Sequence, residues 1–293
     1  MPVAEPAMAP AVGPLLDELA TLVGGDLAPP DRSLARDVIA AVLDRPRFWP
    51  TANRGTLVTD ADAAAMRTAA RALRDGAPFA YAVGRASFRH LTLAVDRRVL
   101  IPRPETELLV DLALQATGGR GRVADVCTGS GAVALALAAE GKFERVLGTD
   151  ISADAIAVAR ANVGAIPADR RGAVEFREGD LLTPLAGERL TAIVANPPYI
   201  ATHERDNLPA LVRDWEPALA LFGGDDGLQV IARIVAGAGN LLEPGGLLML
   251  EIDARRGPES AALAATHDGW TDVQLRTDLT GRNRFLLARR ATS

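Results

Sequence analysis

A strand-like run, VADVC (123–127), passes into a helical run, GAVALALAAEG (131–141), through the small-residue turn Thr128-Gly129-Ser130-Gly131. This junction limits the fold more than any other feature of the chain. A buried strand that turns at once into a helix belongs to a βαβ unit, and such units build a parallel sheet covered on both faces. The alternation continues from Pro104 onward. RVLGTD (145–150), VEFREGD (174–180), LTAIVAN (190–196) and GLLMLEID (246–253) read as further strands, with helices over 152–163 and 227–242 and a short helix over 258–266. VQLRTD (273–278) and RFLLARR (284–290) have no helix between them, which predicts an antiparallel closing pair. The expected fold class is α/β: a Rossmann-like, mostly parallel seven-stranded sheet.

The N-terminal third has a different texture. Residues 1–12, rich in Ala and Pro, read as a loose tail. Leu15, Leu16, Leu19 and Leu22 recur at helical spacing, and Gly24-Gly25 closes the run. Leu34, Val38, Ala41 and Val42 form a second stripe, with Asp31 and Ser33 as candidate caps and Pro46 as the stop. Asp60 is the candidate cap of a third helix through Met66, Ala69, Ala70 and Leu73. Residues 13–80 therefore form an expected small helical domain. Alternation through Phe88, His90, Thr92 and Ala94 predicts a strand, with a turn at Asp96-Arg97 and a second strand at Val99–Ile101. This β-hairpin, within 81–102, is the expected link to a catalytic domain over 103–293.

Composition narrows the function. The net charge is −5 and aromatic residues are only 4% of the chain. A protein that grips bare nucleic acid carries basic surface and stacking rings, so no direct nucleic-acid partner is expected. The single cysteine, Cys127, forms no internal disulfide and suits a reducing compartment. His90, His203 and His267 are far apart, no Cys/His spacing resembles a zinc site, and no metal is expected. The N-terminus lacks a basic n-region, and no apolar run is long enough to span a membrane. A cytoplasmic monomer is expected.

Four motifs carry chemistry. Gly129 and Gly131 let backbone approach a ligand at a helix N-terminus, which favours a nucleotide-like group. By itself this turn also suits NAD, or no ligand at all. Asp150, at the next strand end, suits ribose hydroxyls, although an acid there also caps helices. Asp180, after Gly179, is placed to accept from an adenine amino group, and equally reads as a solvated turn. The decisive motif is Asn196-Pro197-Pro198-Tyr199. Two prolines stiffen the backbone and donate nothing, leaving carbonyl acceptors. The Asn196 side-chain oxygen is a second acceptor. Two acceptors at fixed separation suit an NH₂ on a planar carbon, and Tyr199 can stack on that plane. A nicotinamide dehydrogenase has no use for this arrangement.

With these motifs the chain resembles class I S-adenosylmethionine methyltransferases with an NPPY motif. Within them it is similar to the HemK-like release factor glutamine methyltransferases. The resemblance spans about residues 80–290. It rests on NPPY, on Pro102-Arg103-Pro104-Glu105-Thr106-Glu107, on Glu216-Pro217-Ala218-Leu219, on Gly223-Gly224-Asp225-Asp226-Gly227-Leu228 and on Leu250-Glu251-Ile252. It implies S-adenosylmethionine bound by Cys127, Thr128, Gly129, Ser130 and Gly131, its ribose at Asp150 and its adenine between Asp180 and Leu181. Arg103, Glu105 and Thr106 would lie over the cofactor, and Asn196 to Tyr199 would hold a substrate glutamine. The implied partner is a peptide chain release factor, modified at the glutamine of its Gly-Gly-Gln motif and gripped by the N-terminal helices. Cys127 stands where the family usually has glycine, and is strained if that position needs positive φ. Leu181 stands where an aromatic ring often sits. Asp253-Ala254-Arg255-Arg256 replaces a glycine-containing segment.

The expected mechanism aligns the amide nitrogen with the donor methyl, with Asn196 and the Pro197 carbonyl each accepting one N–H. Competing readings are a nucleic-acid amine methyltransferase, a ribosomal-protein methyltransferase, an NAD-dependent oxidoreductase and a non-catalytic binding module.

Overall fold

The computed structural model describes residues 9–25 and 29–292, and the chain divides into two compact units, one ending at Arg85 and one beginning at Ala86. The first is helical. Its main helices are Val12–Gly24, Arg32–Val42 and Asp60–Arg74, with short turns at Trp49–Ala52 and Phe79–Val83. Their apolar faces meet in one core around Leu15, Leu19, Val38, Ile39, Met66 and Ala70. The Asp31 carboxylate caps the second helix by accepting from the Leu34 amide. Thr59, rather than Asp60, caps the third. The second helix ends at Val42, four residues before Pro46. The first eight residues of the expected tail lie outside the described residues. The rest is not loose, because the Val12 amide donates to Thr56 O and the Val58 amide to Pro10 O, each at 2.9 Å.

The hairpin lies earlier than the sequence suggested. β1 is Arg85–Phe88 and β2 is Leu91–Ala94, with the reversal at Arg89-His90 and not at Asp96-Arg97. Arg89 takes φ 53° in that turn. Its guanidinium pairs with Glu140 and Asp111, and its amide donates to the Glu107 carboxylate. These contacts fix a turn that contains no glycine. Val99–Ile101 is not a strand; it leads into the helix Pro104–Thr117.

The second unit carries the sheet. Its strands are β3 Arg122–Val126, β4 Arg145–Asp150, β5 Val174–Glu178, β6 Leu190–Ala195, β7 Leu242–Glu251, β8 Trp270–Thr277 and β9 Asn283–Arg290. Their order is β5-β4-β3-β6-β7-β9-β8. β3 to β7 run parallel, and β9 is antiparallel to both of its neighbours. Successive residues of each central strand enter opposite cores. Val123, Val146 and Val194 pack with the helices Pro104–Thr117, Ala132–Glu140 and Ala153–Ala161. Ala124, Leu147 and Ile193 pack with Gln229–Ala238 and Gly257–Ala265. Burial on both faces makes these strands continuously apolar in sequence, as a parallel sheet requires. The order reverses at β3, which has β4 on one side and β6 on the other, and ligand crevices form outside the carboxyl ends at such a point. No helix among the described residues is long and apolar enough to cross a membrane.

Candidate active site

The carboxyl ends of β3, β4 and β6 open onto a cavity of about 190 Å³ lined by Cys127, Gly129, Asp150, Asp180, Leu181, Asn196 and Pro198, among others. Its floor is the glycine turn after β3. Gly129 has φ 54° and open space where a Cβ would stand. Gly131 has φ 83°, and a Cβ there would lie 3.0 Å from the Phe176 ring and 3.2 Å from Ala159 Cβ. Only glycine relieves both the backbone conformation and the crowding. Cys127 also sits at positive φ, 61°, so the strained case described above is the one that occurs. Burial pushes its thiol well above the ordinary cysteine range, with the neighbouring Asp150 and Asp125 adding to the shift.

The backbone around the turn is held by two carboxylates. Asp125, within β3 and buried, accepts from Thr128 Oγ1 at 2.6 Å and from the Ala134 amide at 3.1 Å. Burial pushes its carboxyl up to about 7, against those two hydrogen bonds. Asp150 accepts from the Gly129 amide at 2.9 Å and the Ser152 amide at 3.0 Å. Burial raises it too, opposed by the same amides. Ser152, not Asp150, caps the following helix through Ala155 N. Ser130 is buried, and its carbonyl accepts from Asn162 Nδ2. Across the cavity Leu181 takes φ 49°, and its carbonyl accepts from Thr149 Oγ1 at 2.9 Å. Asp180 is paired with Arg233.

Asn196 to Tyr199 follow β6. Asn196 Nδ2 donates to Thr106 Oγ1 at 3.0 Å, and that hydroxyl donates to Glu251 Oε2 at 2.7 Å. The Tyr199 hydroxyl donates to the other oxygen, Glu251 Oε1, at 3.4 Å. Burial raises the carboxyl of Glu251 and the phenol of Tyr199. One guanidinium nitrogen of Arg103 donates to both oxygens of Glu216, at 2.6 and 2.7 Å. Burial raises Glu216 and the pairing with Arg103 opposes it. Arg103 and Thr106 line a small cavity with Cys127, Thr128, Gly129 and Ser130. Glu105 is exposed in the first turn of its helix. Asn196, Pro197, Tyr199 and Arg103 also line a second recess with Leu208, Pro209 and Val212.

The NPPY backbone is braced from behind. The Ile200 amide donates to Leu221 O and the Gly223 amide to Ile200 O. A Cβ on Gly223 would stand 2.3 Å from the Pro198 carbonyl oxygen, and one on Gly227 would stand 2.4 Å from that of Tyr199. This close approach explains Gly223 and Gly227, two of the three glycines of the GGDDGL segment. Beyond it, Asp253, Arg255 and Arg256 pair among themselves and with Glu204.

No sequence motif points to a role for Asp125, Glu216, Arg233 or Glu251. Asp125 and Glu251 did leave a signal: each is an acid inside a run apolar enough to be buried on both faces, where an ionisable group needs partners.

The Methyltransferase small domain family model matches residues 104–215. The release factor glutamine methyltransferase of Deinococcus radiodurans is 44% identical over 216 residues, covering 73% of this chain and 75% of the relative. That of Moorella thermoacetica is 43% identical over 217 residues, with 73% and 76% covered. Among solved structures, a methyltransferase from Pyrococcus furiosus superposes with a TM-score of 0.51 at 17% identity, covering 69% of this chain and 89% of its own. The hMettl16 catalytic domain superposes with a TM-score of 0.53 at 16% identity, covering 82% and 85%. The structural likeness shows the fold, a Rossmann-like methyltransferase sheet. The sequence likeness goes further: the chain belongs to the family of release factor glutamine methyltransferases.

Proposed function

We propose that the chain transfers a methyl group from S-adenosylmethionine to the side-chain amide nitrogen of the Gly-Gly-Gln glutamine in a peptide chain release factor. The observation that carries this reading is the position of Asn196. It lines both the cavity that reaches Gly129 and Asp150 and the recess that reaches Tyr199 and Val212. A side chain there faces a donor on one side and an acceptor on the other.

The residues fit the donor. Gly129 leaves space above the backbone, Asp150 presents a carboxylate at the rim, and Leu181, Ile151 and Phe222 supply apolar walls. In the proposed assignment Asp150 binds the ribose hydroxyls. Asp180, shared with Arg233, accepts from the adenine amino group beside Leu181. S-adenosylmethionine supplies a methyl carbon already activated for displacement by its sulfonium.

This chain's own residues present the nucleophile. An amide nitrogen lends its lone pair to its carbonyl and attacks poorly. Asn196 Oδ1 and the Pro197 carbonyl would accept its two N–H groups, hold the nitrogen in line and stabilise the positive charge that develops as the N–C bond forms and the methyl–sulfonium bond breaks; one N–H proton would then leave to solvent to restore a neutral amide. Alignment supplies much of the rate. Tyr199, tied to Glu251, fixes the plane of the amide. The N-terminal helical unit grips the protein substrate. The enzyme works as a monomer, and its lone cysteine suits the reducing cytoplasm.

The test is direct. The purified protein is incubated with S-adenosylmethionine and an unmethylated release factor, and the Gly-Gly-Gln peptide is sequenced by mass spectrometry. A one-methyl gain on the glutamine side chain is expected. A methyl on another residue, or none while the donor binds, overturns the substrate assignment.

A further inference from the structure

Thr106 has one hydroxyl proton and two neighbours that compete for it, Glu251 Oε2 at 2.7 Å and the Asn196 side-chain amide at 3.0 Å. An ionised carboxylate only accepts hydrogen bonds. The Thr106 proton therefore goes to Glu251, and the hydroxyl lone pair must take an N–H from Asn196. That settles which way the Asn196 amide faces: NH₂ toward Thr106, Oδ1 away from it. Burial and the nearby Glu105 raise the Glu251 carboxyl, and three groups work the other way to favour its ionised form: the Thr106 hydroxyl, the Tyr199 hydroxyl that donates to the same carboxylate, and the positive charge of Arg284. Glu251 is 1% exposed and Thr106 4%, which leaves little water to offer alternative partners.

We propose that Thr106 and Glu251 are positioning residues that lock the polarity of Asn196, so that the site reads a substrate amide and rejects a carboxylate. Asparagine alone is ambivalent, since a flip exchanges its acceptor for a donor. Locked, it offers only Oδ1, which pairs with the NH₂ of glutamine and repels the oxygens of glutamate. A site built to accept from an N–H discriminates strongly against an isostere that lacks one. The three residues come from the helix after PRP, the loop after β6 and the end of β7, so the lock also ties those elements together. The inference rests on the proposed role of Asn196 in holding the substrate amide.

The test compares Thr106→Val, which keeps the shape and loses the hydroxyl, with Thr106→Ser, which restores it. Asn196→Ala runs in parallel. Donor affinity and melting temperature are measured on each to confirm a folded protein. The substrate is the release factor, and the competitor is the same protein with glutamate in place of the glutamine. Thr106→Val is expected to lose about 10- to 100-fold in kcat/KM, the range for a misdirected buried hydrogen bond. Its preference for the glutamine protein over the glutamate competitor is expected to narrow by about tenfold or more. Thr106→Ser is expected to recover most of the turnover. Normal turnover or unchanged discrimination in Thr106→Val overturns the lock, as does a Thr106→Ser variant no better than the valine. In those cases an inactive Asn196→Ala leaves the clamp standing, whereas an active one overturns the clamp and the lock together.

Discussion

Asp125 is a carboxyl within a parallel strand, pushed up to about 7 by burial. It lines the small cavity shared with Thr128, Gly129 and Asn196. Below about pH 7 it is neutral in the free protein, and a cationic methyl donor favours its ionised form. Binding must then release a proton, so donor affinity should rise as pH increases from about 5 to 7, by at most about tenfold per unit, and level off above. Calorimetry in buffers of different ionisation heat measures that proton directly, and a flat affinity with no proton release would remove the linkage. Residues of this kind were only partly legible. Asn196, Gly129 and Asp150 announce themselves because each closes a strand within a short motif. Glu251 shows in the sequence only as an acid in an apolar run; its partners Thr106 and Tyr199 are 145 and 52 residues away, and only the folded sheet brings them together. Cys127 and Leu181 stand out as departures; positive φ is an open alternative at Cys127 and has no sequence signal at Leu181. Each carries a backbone strain of about 1 kcal/mol that only the turn geometry reveals.

The segment Gly223–Leu228 packs against the NPPY backbone, so its effect on the proposed chemistry is indirect. Gly223 has no room for a Cβ, because the Pro198 carbonyl would lie 2.3 Å from it. Gly223→Ala should push the NPPY loop outward. A displacement near 1 Å at a reacting centre costs on the order of 100-fold in rate. The expected signature is a fall in kcat of that order with donor affinity retained, and a variant that turns over normally would show that the brace is slack. The parallel strands were readable because burial on both faces leaves an unbroken apolar run. The hairpin was misplaced because alternation continues through it and its turn, Arg89-His90, has neither Gly nor Asn to mark it. What holds that turn is Arg89 reaching Asp111 and Glu140, contacts that no local pattern encodes.

The helical unit has its own core, which includes Met66, and the second unit has one core on each face of the sheet. Met66→Ala should cost the helical unit about 2–5 kcal/mol while leaving donor affinity unchanged. Thermal unfolding followed with and without S-adenosylmethionine separates the two effects, and a loss of donor binding would show that the cores are energetically one. The sheet order has a consequence of its own. The donor assignment rests on β3, β4 and β5, the acceptor assignment on β6 and β7, and β3 and β6 are immediate neighbours. Neighbouring strands are about 4.8 Å apart, a spacing set by backbone hydrogen bonds. In the proposed assignment the donor and acceptor sides therefore meet at one strand boundary, and that adjacency is set by the backbone hydrogen bonds of the sheet.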